Sequence, residues 1–479
     1  MENEMRSHRI NQTWELVEKS KSKKLVDCKW LFTLKEGLTE SDPPRYKARL
    51  VAKGFMQKEG VDYTKIFSPV VKFKTIRVML ACAACFDLEI EQLDVTTTFL
   101  HGTLDEVIYM RQPLGLINAE MPEHACLLKK SLYGLKQSPR LWYKRFDSFV
   151  LSIGFVRSNY DSCLYFSSLD NDPVYLLLYV DDTLLIRKCM HKINKVKSDL
   201  KSEFDMKDSG HARKILGMII DRDRSKCFLK LHQKPYLQKK IVAKFGCDDC
   251  KPEMLEMETI PYSNALGSLM YAMIATRHDL CYVVSLLSRY MSKPGKYHWY
   301  ALKHVIAYVN SYAELGLCYS NRAAVSELIG YVDADFASDR DRRKSNTSYV
   351  FTLSGNCIVW KSRLQPLVAQ STTESEYVAI CDACKEAVWL QGTLKETKLI
   401  EKNVVIYSDS QSALQLSKNP VYHERTKHIY IKYHYIRSLV ETGAVYLLKV
   451  DTTDKPSDFD TKIVTNSKFK HCLNLLHLE

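Results

Sequence analysis

The sequence predicts two α/β units joined by a helical connector. In the first half of the chain, strand-like segments alternate with helix-like segments up to a polar stretch at residues 247–264. A segment rich in Met, Tyr and Leu follows, from about residue 265 to 313, with a helical pattern. A new α/β pattern begins at residues 327–338 and continues to the end of the chain. We therefore expect two folded units with helices between them.

The amino-acid composition is that of a folded, basic protein. Of the 479 residues, 46% are hydrophobic and 26% charged, and the net charge is +13. This length has room for roughly three ordinary domains, and the composition excludes a disordered chain. Basic and aromatic residues are interleaved at residues 129–146 and 423–437, a mixture that suits a phosphate backbone with stacked bases. Because most charged runs are solvated surface, this feature favours nucleic acid only weakly.

The N-terminus and the cysteines indicate a reduced, intracellular environment. The chain is charged from its second residue, and no apolar run approaches the roughly 18 residues that suggest a membrane span. The 15 cysteines are an odd number without a secretory signal, so we expect free thiols. The absence of a second Cys or His pair at zinc spacing argues against zinc at the three C-x-x-C pairs, Cys82/Cys85, Cys247/Cys250 and Cys381/Cys384. The first and third pairs lie in apolar, alanine-containing stretches for which we expect helices.

Two adjacent aspartates, Asp181 and Asp182, interrupt the otherwise apolar segment YLLLYVDDTLLI at residues 175–186. Neighbouring side chains on a strand point to opposite faces, so both carboxylates could share one site only if the chain turns there. We therefore predict a β-hairpin with the aspartates at its tip. Carboxylates near 4 Å apart repel by roughly 4 kcal/mol at an effective dielectric of 20 unless a cation or proton intervenes. For the dipeptide alone, an Asp-containing turn without a function is the more frequent explanation.

A third carboxylate, Asp94, ends an alternating strand that begins at Leu88 and precedes a Thr-rich turn. Carboxylates at strand ends can converge, and three of them could hold two Mg²⁺ ions about 3.5 to 4 Å apart. One ion would activate an attacking hydroxyl and the other would stabilise the leaving phosphate oxygen, as in polymerases. A helix N-cap is the alternative role for Asp94.

The second half of the chain contains another acidic set at predicted strand ends and helix starts. Asp333 ends an alternating strand, Asp409 follows the strand NVVIY, and Asp458 lies at a predicted helix start. Each could be an N-cap instead. Thr373 and Glu376 form one capping-box pattern, but Ser371 and Glu374 form another, which would leave Glu376 free to point toward a sheet. Four such acids suit a two-metal nuclease.

Long collinear motifs resemble the Pol polyprotein of copia-type LTR retrotransposons over nearly the whole chain. Five motifs resemble the reverse transcriptase of that family: RYKARLVAKGF from Arg45, FSPVVK from Phe67, QLDVTTTFLHG from Gln92, KSLYGLKQSPRLWY from Lys130 and LLYVDD from Leu177. The RNase H that follows it is resembled by GSLMYA from Gly267, YVDADFA from Tyr331, STTESEY from Ser371, SDSQSAL from Ser408 and HERTKHI from His423.

The resemblance implies an α+β polymerase shaped as a right hand with fingers, palm and thumb, followed by an α/β RNase H-like domain. The implied parts are fingers and palm (1–190), palm end and a shortened thumb (191–255), a helical connection (256–325) and the RNase H-like domain (326–479).

The resemblance also implies residue roles. Asp94, Asp181 and Asp182 would be the metal ligands of the polymerase, with Asp182 the least direct. Lys47 and Arg49 would hold the incoming triphosphate, Phe99 would lie beneath its sugar, and Lys136 would line the template–nucleotide region. In the RNase H, the metal-binding acids would be Asp333, Glu376, Asp409 and Asp458, with Asp333 chosen over Asp335 because it fits the strand end.

The chain departs from the family pattern at several positions. The family usually has Lys and Ala at Thr96 and Thr98, and Asp and Leu at Tyr430 and Asp460. The connection between Cys250 and Pro261 is shorter than is typical, which suggests a deletion near the thumb. Because no zinc-knuckle, aspartic protease or integrase motif precedes the match, we expect either the C-terminal part of a polyprotein or a truncated genomic copy.

We therefore predict an RNA-directed DNA polymerase with ribonuclease H activity. Its cofactors would be Mg²⁺ or Mn²⁺, two ions per active site. Its partners would be an RNA template, a DNA primer, RNA–DNA hybrids and deoxynucleoside triphosphates, with no membrane, and a homo-oligomer is left open. The expected location is the cytoplasm, in virus-like particles if the element is intact. The alternatives are an inactive nucleic-acid-binding remnant and an active RNase H attached to a dead polymerase.

Overall fold

The computed structural model describes residues 1–18, 24–35, 44–167, 172–246, 257–321, 327–400, 402–418 and 430–479. The Cys247/Cys250 pair and most of the connection between residues 250 and 261 lie outside these ranges. In the part of the chain that is described, no helix is both long enough and apolar enough to cross a bilayer.

Up to residue 211, the described residues form mainly antiparallel strands with four α-helices. The helices are α1 (Glu2–Ile10), α2 (Phe73–Cys85), α3 (Ser138–Ser152) and α4 (Met190–Glu203). The strands are β1 (Trp14–Val17), β2 (Cys28–Lys35), β3 (Arg45–Ala52), β4 (Glu89–Val95), β5 (Thr103–Met110), β6 (Ala125–Lys130), β7 (Phe155–Arg157), β8 (Leu164–Ser167), β9 (Tyr175–Tyr179), β10 (Asp182–Arg187) and β11 (Met206–His211).

These strands build three sheets. The central one has six strands in the order β11-β4-β10-β9-β8-β7, all antiparallel. A three-stranded sheet has the order β1-β6-β5, and β2 and β3 form a separate antiparallel pair. Strand β9 is buried on both faces up to Leu178 because its side chains are apolar throughout.

The middle of the chain begins with a small sheet and continues with helices. Its elements are β12 (Lys214–Ile215), β13 (Met218–Asp223), β14 (Phe228–His232), α5 (Lys234–Tyr236), a π-helical stretch (Leu237–Val242), α6 (Ala243–Phe245), α7 (Tyr262–Ala275), α8 (Cys281–Ser288), α9 (Lys296–Ser311) and β15 (Gly316–Ser320). Helices α7, α8 and α9 occupy the stretch for which the sequence predicted helices. The connection also contains a strand, since β15 pairs with β14 in the sheet β12-β13-β14-β15.

The C-terminal unit is a mixed sheet with a long helix packed on it. Its elements are β16 (Leu328–Asp335), β17 (Asn346–Leu353), β18 (Asn356–Leu364), α10 (Thr372–Glu396), β19 (Val404–Ser408), α11 (Gln411–Lys418), α12 (Tyr430–Glu441), β20 (Val445–Lys449) and α13 (Asn466–Leu475). The sheet order is β18-β17-β16-β19-β20, with β16, β17 and β18 antiparallel and β16, β19 and β20 parallel. The α/β character predicted for this half is thus confirmed.

Helix α2 joins the two units into one core. Its side chains from Thr75 to Ala84 are all buried, so the helix has no solvent-facing side over that stretch. It packs against β15 and β18, and one continuous cluster of buried residues extends from Val71 to Leu478. The sequence predicted two units separated by a connector. In the structure the two units share this core, because a helix that is buried on every face must be covered on every face.

Two C-x-x-C pairs lie on helices, as predicted. Cys82 and Cys85 belong to α2, and Cys381 and Cys384 belong to α10. Each of the four is a free cysteine, and Cys85 alone among them is half-buried rather than buried.

Candidate active sites

The predicted β-hairpin is present, and its tip carries the two aspartates. Tyr179 pairs with Asp182, so Val180 and Asp181 form the two-residue turn, with Val180 at φ +56°. This left-handed conformation is unfavourable for a β-branched residue. The indole Nε1 of Trp142 donates to the carbonyl oxygen of Val180 at 2.6 Å, and this hydrogen bond stabilises the turn.

Strand pairing brings the hairpin beside Asp94. Asp182 lies directly opposite Asp94 on β4, and the backbone N–H of Val95 donates to the carbonyl oxygen of Asp181 at 3.0 Å. Directly opposed residues of antiparallel strands project to the same face, so Asp182 is the aspartate that faces Asp94 across the ladder. Its Oδ1 also accepts from Gln92 Nε2 at 3.0 Å. We call Asp94, Asp181 and Asp182 the hairpin site; all three are half-exposed.

A basic and aromatic group lies near this hairpin. The guanidinium carbon of Arg49 is 4.9 Å from the ring centroid of Tyr133, and that ring is 4.9 Å from the ring of Phe99. Burial raises the pKa of Tyr133; Arg49 opposes this shift, and the charge of Asp181 adds to it. Arg49 Nε is buried without a hydrogen-bond partner in the described part of the chain. Tyr133 lies within the motif KSLYGLKQSPRLWY, but only its tertiary contacts distinguish it from the neighbouring residues.

A close approach of two backbones positions Arg49. The N–H of Ala52, at the end of β3, donates to the carbonyl oxygen of Tyr133 at 2.7 Å. A Cβ atom on Gly134 would come within 2.1 Å of the Ala52 carbonyl oxygen, and Gly134 has φ +94°. Only glycine tolerates both this close approach and a positive φ. The turn at Gly134 can therefore pack against the end of β3, which places Arg49 over the ring of Tyr133.

The other predicted nucleotide-contacting residues lie nearby on the same segments. Lys47 is half-buried on β3, and its charge and that of Arg49 oppose the burial-driven rise in the pKa of Glu4 on α1. Lys136 is exposed, and its ammonium donates to the hydroxyl of Tyr63 at 3.0 Å. The carboxylate of Glu4 is therefore a neighbour that sequence reasoning did not anticipate.

The two threonines that depart from the family pattern make hydrogen bonds of their own. The backbone N–H of Thr96 donates to the carbonyl oxygen of Asp205 at 3.0 Å. The hydroxyl of Thr98 donates to the carbonyl oxygen of Val95 at 3.1 Å and is buried. Both contacts fix the turn that follows β4.

The C-terminal unit brings three predicted acids together. Asp333 lies near the end of β16, Asp409 directly follows β19, and Asp458 lies in a 3₁₀ turn, Pro456–Asp460. Because β16 and β19 are parallel neighbours, their carboxyl ends meet at one edge of the sheet. Each of the three offers an oxygen within 4.8 Å of the others, and this is the one such group of three or more His, Cys, Asp or Glu among the described residues. Asp335 is outside that group.

Glu376 points toward the same place from α10. The helix begins with Ser371 as its N-cap, whose side chain accepts from the backbone N–H of Glu374, so the second capping pattern is the one the chain uses. Glu376 Oε1 accepts from the backbone N–H of Ala334, next to Asp333, at 3.3 Å. Burial, and then the charges of Asp333 and Asp409, raise the pKa of Glu376 to about 8. We call Asp333, Glu376, Asp409 and Asp458 the C-terminal acid site.

A lysine that sequence reasoning missed lies inside this site. The ammonium of Lys455 donates to Asp333 Oδ1 and, at 2.7 Å, to Asp409 Oδ2, and it is 3.1 Å from Asp458 Oδ1. Its side chain is 1% exposed. Desolvation is the largest single effect and would raise the pKa of Asp409, but the hydrogen bond and the charge of Lys455, with the hydrogen bond from Thr452, together lower it. The hydroxyl of Thr461 donates to the other oxygen of Asp333.

Asp460, a departure from the family pattern, forms a buried ion pair with the connector. His278 Nε2 is 2.6 Å from Asp460 Oδ2, and neither side chain is exposed. Burial is the largest single effect and would lower the pKa of His278, but the charge and the hydrogen bond of Asp460, together with Cys357, raise that pKa to about 10. The imidazolium therefore ties the short 3₁₀ turn before α8 to the turn that carries Asp458.

The donor chemistry of the C-terminal acid site fits a hard divalent cation. Three carboxylates are within reach of one ion, and Glu376 Oε2 is buried without a hydrogen-bond partner in the described residues. Oxygen ligands of this kind suit Mg²⁺ or Mn²⁺. The hairpin site has the same kind of oxygen ligand. Among the described residues, its three carboxylates do not all bring an oxygen within 4.8 Å of one another, as three of the C-terminal acids do.

Comparison with known proteins gives a consistent result over the whole chain. The family model described as reverse transcriptase (RNA-dependent DNA polymerase) matches residues 11–259. The retrovirus-related Pol polyprotein from transposon TNT 1-94 of Nicotiana tabacum is 46% identical over 498 residues, covering 99% of this chain and 37% of that protein. The corresponding polyprotein from transposon RE1 of Arabidopsis thaliana is 36% identical over 478 residues, covering 96% and 32%. The chain thus spans about a third of the length of these curated relatives.

Among solved structures, a foamy viral protease-reverse transcriptase in complex with dsDNA is similar with a TM-score of 0.48 and 13% identity. That similarity covers 91% of this chain and 79% of the viral chain.

Proposed function

This chain belongs to the reverse transcriptase family of copia-type retrotransposon Pol polyproteins, and on that premise we propose that it synthesises DNA on an RNA or DNA template and hydrolyses the RNA strand of RNA–DNA hybrids. The observation that carries the proposal is the strand pairing at the hairpin site. It aligns Asp182 with Asp94 at the tip of a hairpin, within the residues that match the family model.

The hairpin site is proposed as the polymerase centre. Asp94, Asp181 and Asp182 would hold two divalent cations, which would supply charge stabilisation at the transferred phosphate and a more nucleophilic primer hydroxyl. The chain's own contribution is placement, because backbone hydrogen bonds fix all three residues before any substrate arrives.

The group around Tyr133 is proposed to bind the incoming deoxynucleoside triphosphate. Arg49 and Lys47 lie on one face of β3, and the buried, unpartnered Nε of Arg49 is a donor that a phosphate oxygen would satisfy. Phe99, against Tyr133, would support the sugar, and Lys136 would contact the template strand. In this assignment β2 and β3 belong to the fingers, the six-stranded sheet is the palm, and the residues after β11 contribute to the thumb.

The C-terminal acid site is proposed as the ribonuclease centre. Strand order β18-β17-β16-β19-β20 with an acid at the ends of β16 and β19 supports an RNase H-like domain. Asp333, Glu376, Asp409 and Asp458 would hold two Mg²⁺ or Mn²⁺ ions. The protein would position the hybrid by phosphate contacts, to which its net charge of +13 is suited.

A specific observation favours a second candidate function, an inactive nucleic-acid-binding remnant. The ammonium of Lys455 already neutralises part of the charge that a metal would neutralise. One experiment separates the candidates: the full chain is assayed for primer extension on an RNA template and for cleavage of a labelled hybrid, each with Mg²⁺ and with EDTA. Extension and cleavage that both require the metal are expected. A folded protein that binds the hybrid but catalyses neither reaction would be the remnant.

A further inference from the structure

Lys455 occupies the position in the C-terminal acid site where a cation is needed. The ammonium of Lys455 donates to oxygens of Asp333 and Asp409, and it forms an ion pair with Asp458 Oδ1 at 3.1 Å. Those are the same three residues whose oxygens could share one metal ion. The side chain is buried, so the contact is not a mobile surface pair.

A second lysine beside the site has a different environment. Lys462 Nζ is 3.5 Å from Asp458 Oδ1, but its side chain is 41% exposed and it contacts the site from outside. An exposed pair of this kind is screened by water and contributes little, whereas a buried ammonium cannot be replaced by solvent. Comparing substitutions of the two lysines therefore distinguishes the effect of a buried cation inside the site from that of a positive charge near it.

We propose that Lys455 is an internal counter-ion of the C-terminal acid site, which holds its carboxylates together without metal and must withdraw before a divalent cation binds. Three carboxylates within 4.8 Å of one another would repel strongly if nothing positive stood between them. The four-carbon stem of a lysine allows the ammonium to swing away while its backbone remains in place. The site would thus bind metal more weakly than its four acids alone would, and would stay ordered when metal is scarce. The proposal rests on the assignment of these acids as metal ligands.

The test measures Mg²⁺ binding rather than catalysis. Calorimetric titration of the full chain with Mg²⁺ is carried out in an Asp181→Asn/Asp182→Asn background, so that the hairpin site does not dominate the signal. Removing the internal cation in Lys455→Gln should lower the half-saturating Mg²⁺ concentration at least ~10-fold. The matched control Lys462→Gln should change it less than ~2-fold.

A second readout is the thermal unfolding midpoint. In EDTA, Lys455→Gln should unfold at a lower temperature than the parent because its carboxylates are no longer neutralised. Saturating Mg²⁺ should restore most of that loss, and it should stabilise the parent and Lys462→Gln less. Lys455→Met, which keeps the aliphatic stem without the charge, should behave as Lys455→Gln does.

Three results would overturn the proposal. The first is that folded Lys455→Gln binds Mg²⁺ no more tightly than the parent, and the second is that Lys462→Gln gains as much affinity for Mg²⁺ as Lys455→Gln does. The third is that neither Lys455 variant folds even in saturating Mg²⁺, because the metal should then replace the ammonium. Failure of the proposed function is distinguishable from these. If the parent cleaves no hybrid but the affinity shift is observed, the ribonuclease assignment fails and the counter-ion role stands.

Discussion

The hairpin site and the C-terminal acid site contain the same kind of side chain in opposite surroundings. Asp94, Asp181 and Asp182 are half-exposed, and backbone hydrogen bonds between adjacent strands set their positions. In the C-terminal acid site Asp333 and Asp458 are 2% and 3% exposed, and their carboxylates are drawn together around a buried ammonium. Water can screen the first set of charges, whereas the second needs an internal cation.

This difference shows two ways of holding carboxylates close together. In the hairpin site the backbone supports the geometry, and the three carboxylates stay partly open to solvent. In the C-terminal acid site the side chains come from β16, α10, the residue after β19 and a 3₁₀ turn, so charge neutralisation must hold separate elements together. The hairpin site should therefore be most sensitive to changes in strand register, and the C-terminal acid site to loss of the buried ammonium of Lys455.

The largest expected effect tests whether the two sites are chemically independent. Asp409→Asn should abolish hybrid cleavage, while Asp181→Asn/Asp182→Asn should abolish primer extension, each by at least about a thousandfold. Such a factor corresponds to a loss of ~4 kcal/mol of transition-state stabilisation. Each variant should retain the other activity near its starting rate when both are assayed in one buffer.

Circular dichroism on the same preparations provides the folding control for this exchange. If both variants are folded and each has lost both activities, the two acid sets act as one composite site and are not independent.

A second prediction concerns the core that the two units share. Arg77 on α2 is 4% exposed, and its guanidinium donates to the carbonyl oxygens of Ile358 on β18 at 2.6 Å and Ala275 at 3.1 Å. It also lies 3.9 Å from the ring centroid of Trp360. Arg77→Met would leave buried carbonyls without donors and should destabilise the protein by about 3 kcal/mol.

In Arg77→Met, extension and cleavage should be lost together on heating, because the helix serves both units. The conservative Arg77→Lys should recover part of the stability. If only one activity is heat-sensitive in Arg77→Met, the units unfold separately and the shared core does not couple them.

The third prediction uses the pH dependence of stability in EDTA. Burial raises the pKa of Glu376 from 4.5 to about 8. Between these values the native protein keeps a proton that the unfolded chain has released, so this residue makes stability fall as pH rises from about 4.5 to 8. Glu376→Gln should remove that fall. Its free energy of unfolding, relative to that of the parent, should be higher at pH 8 than at pH 4.5 by about 2 kcal/mol.

Urea unfolding at the two ends of that window measures the gain. Glu376→Asp, which keeps a carboxyl group, should retain the parent's pH dependence. Parallel stability profiles for the parent and Glu376→Gln would mean that Glu376 is not the group that titrates.

Much of the backbone at these sites could be predicted from the sequence because local patterns determine it. The two adjacent aspartates after an apolar run predicted a turn, alternation carried Asp94 to a strand end, and the Ser371 capping pattern freed Glu376. These features depend on neighbours two to four residues away, for which sequence periodicity is informative.

Contacts between distant segments could not be predicted in the same way. Lys455, Tyr133 and Arg77 acquire their roles from partners on other elements, and nothing in their local sequence distinguishes them from a surface lysine, a turn tyrosine or a helix arginine. The position of Lys455 three residues before Asp458 was the one available signal, and a helix-surface pair would give the same spacing.

The smallest expected effect sharpens the proposed role of the hairpin site in choosing its substrate. Phe99 packs against Tyr133, the ring that Arg49 covers, so its own ring could lie beneath the sugar of an incoming nucleotide. A ring there would exclude the 2′-hydroxyl of a ribonucleotide, the group by which proteins distinguish RNA from DNA. Phe99→Val should then raise the incorporation ratio of ribonucleotide to deoxynucleotide about tenfold, equivalent to ~1.4 kcal/mol of lost discrimination.

Phe166→Val removes another half-buried ring from the same core, on β8, and should leave the ratio unchanged, while Tyr133→Phe tests the neighbouring hydroxyl. Single-nucleotide extension with each triphosphate measures the ratio. If Phe99→Val and Phe166→Val slow extension equally without altering the ratio, Phe99 serves only in packing, and substrate choice lies elsewhere in the hairpin site.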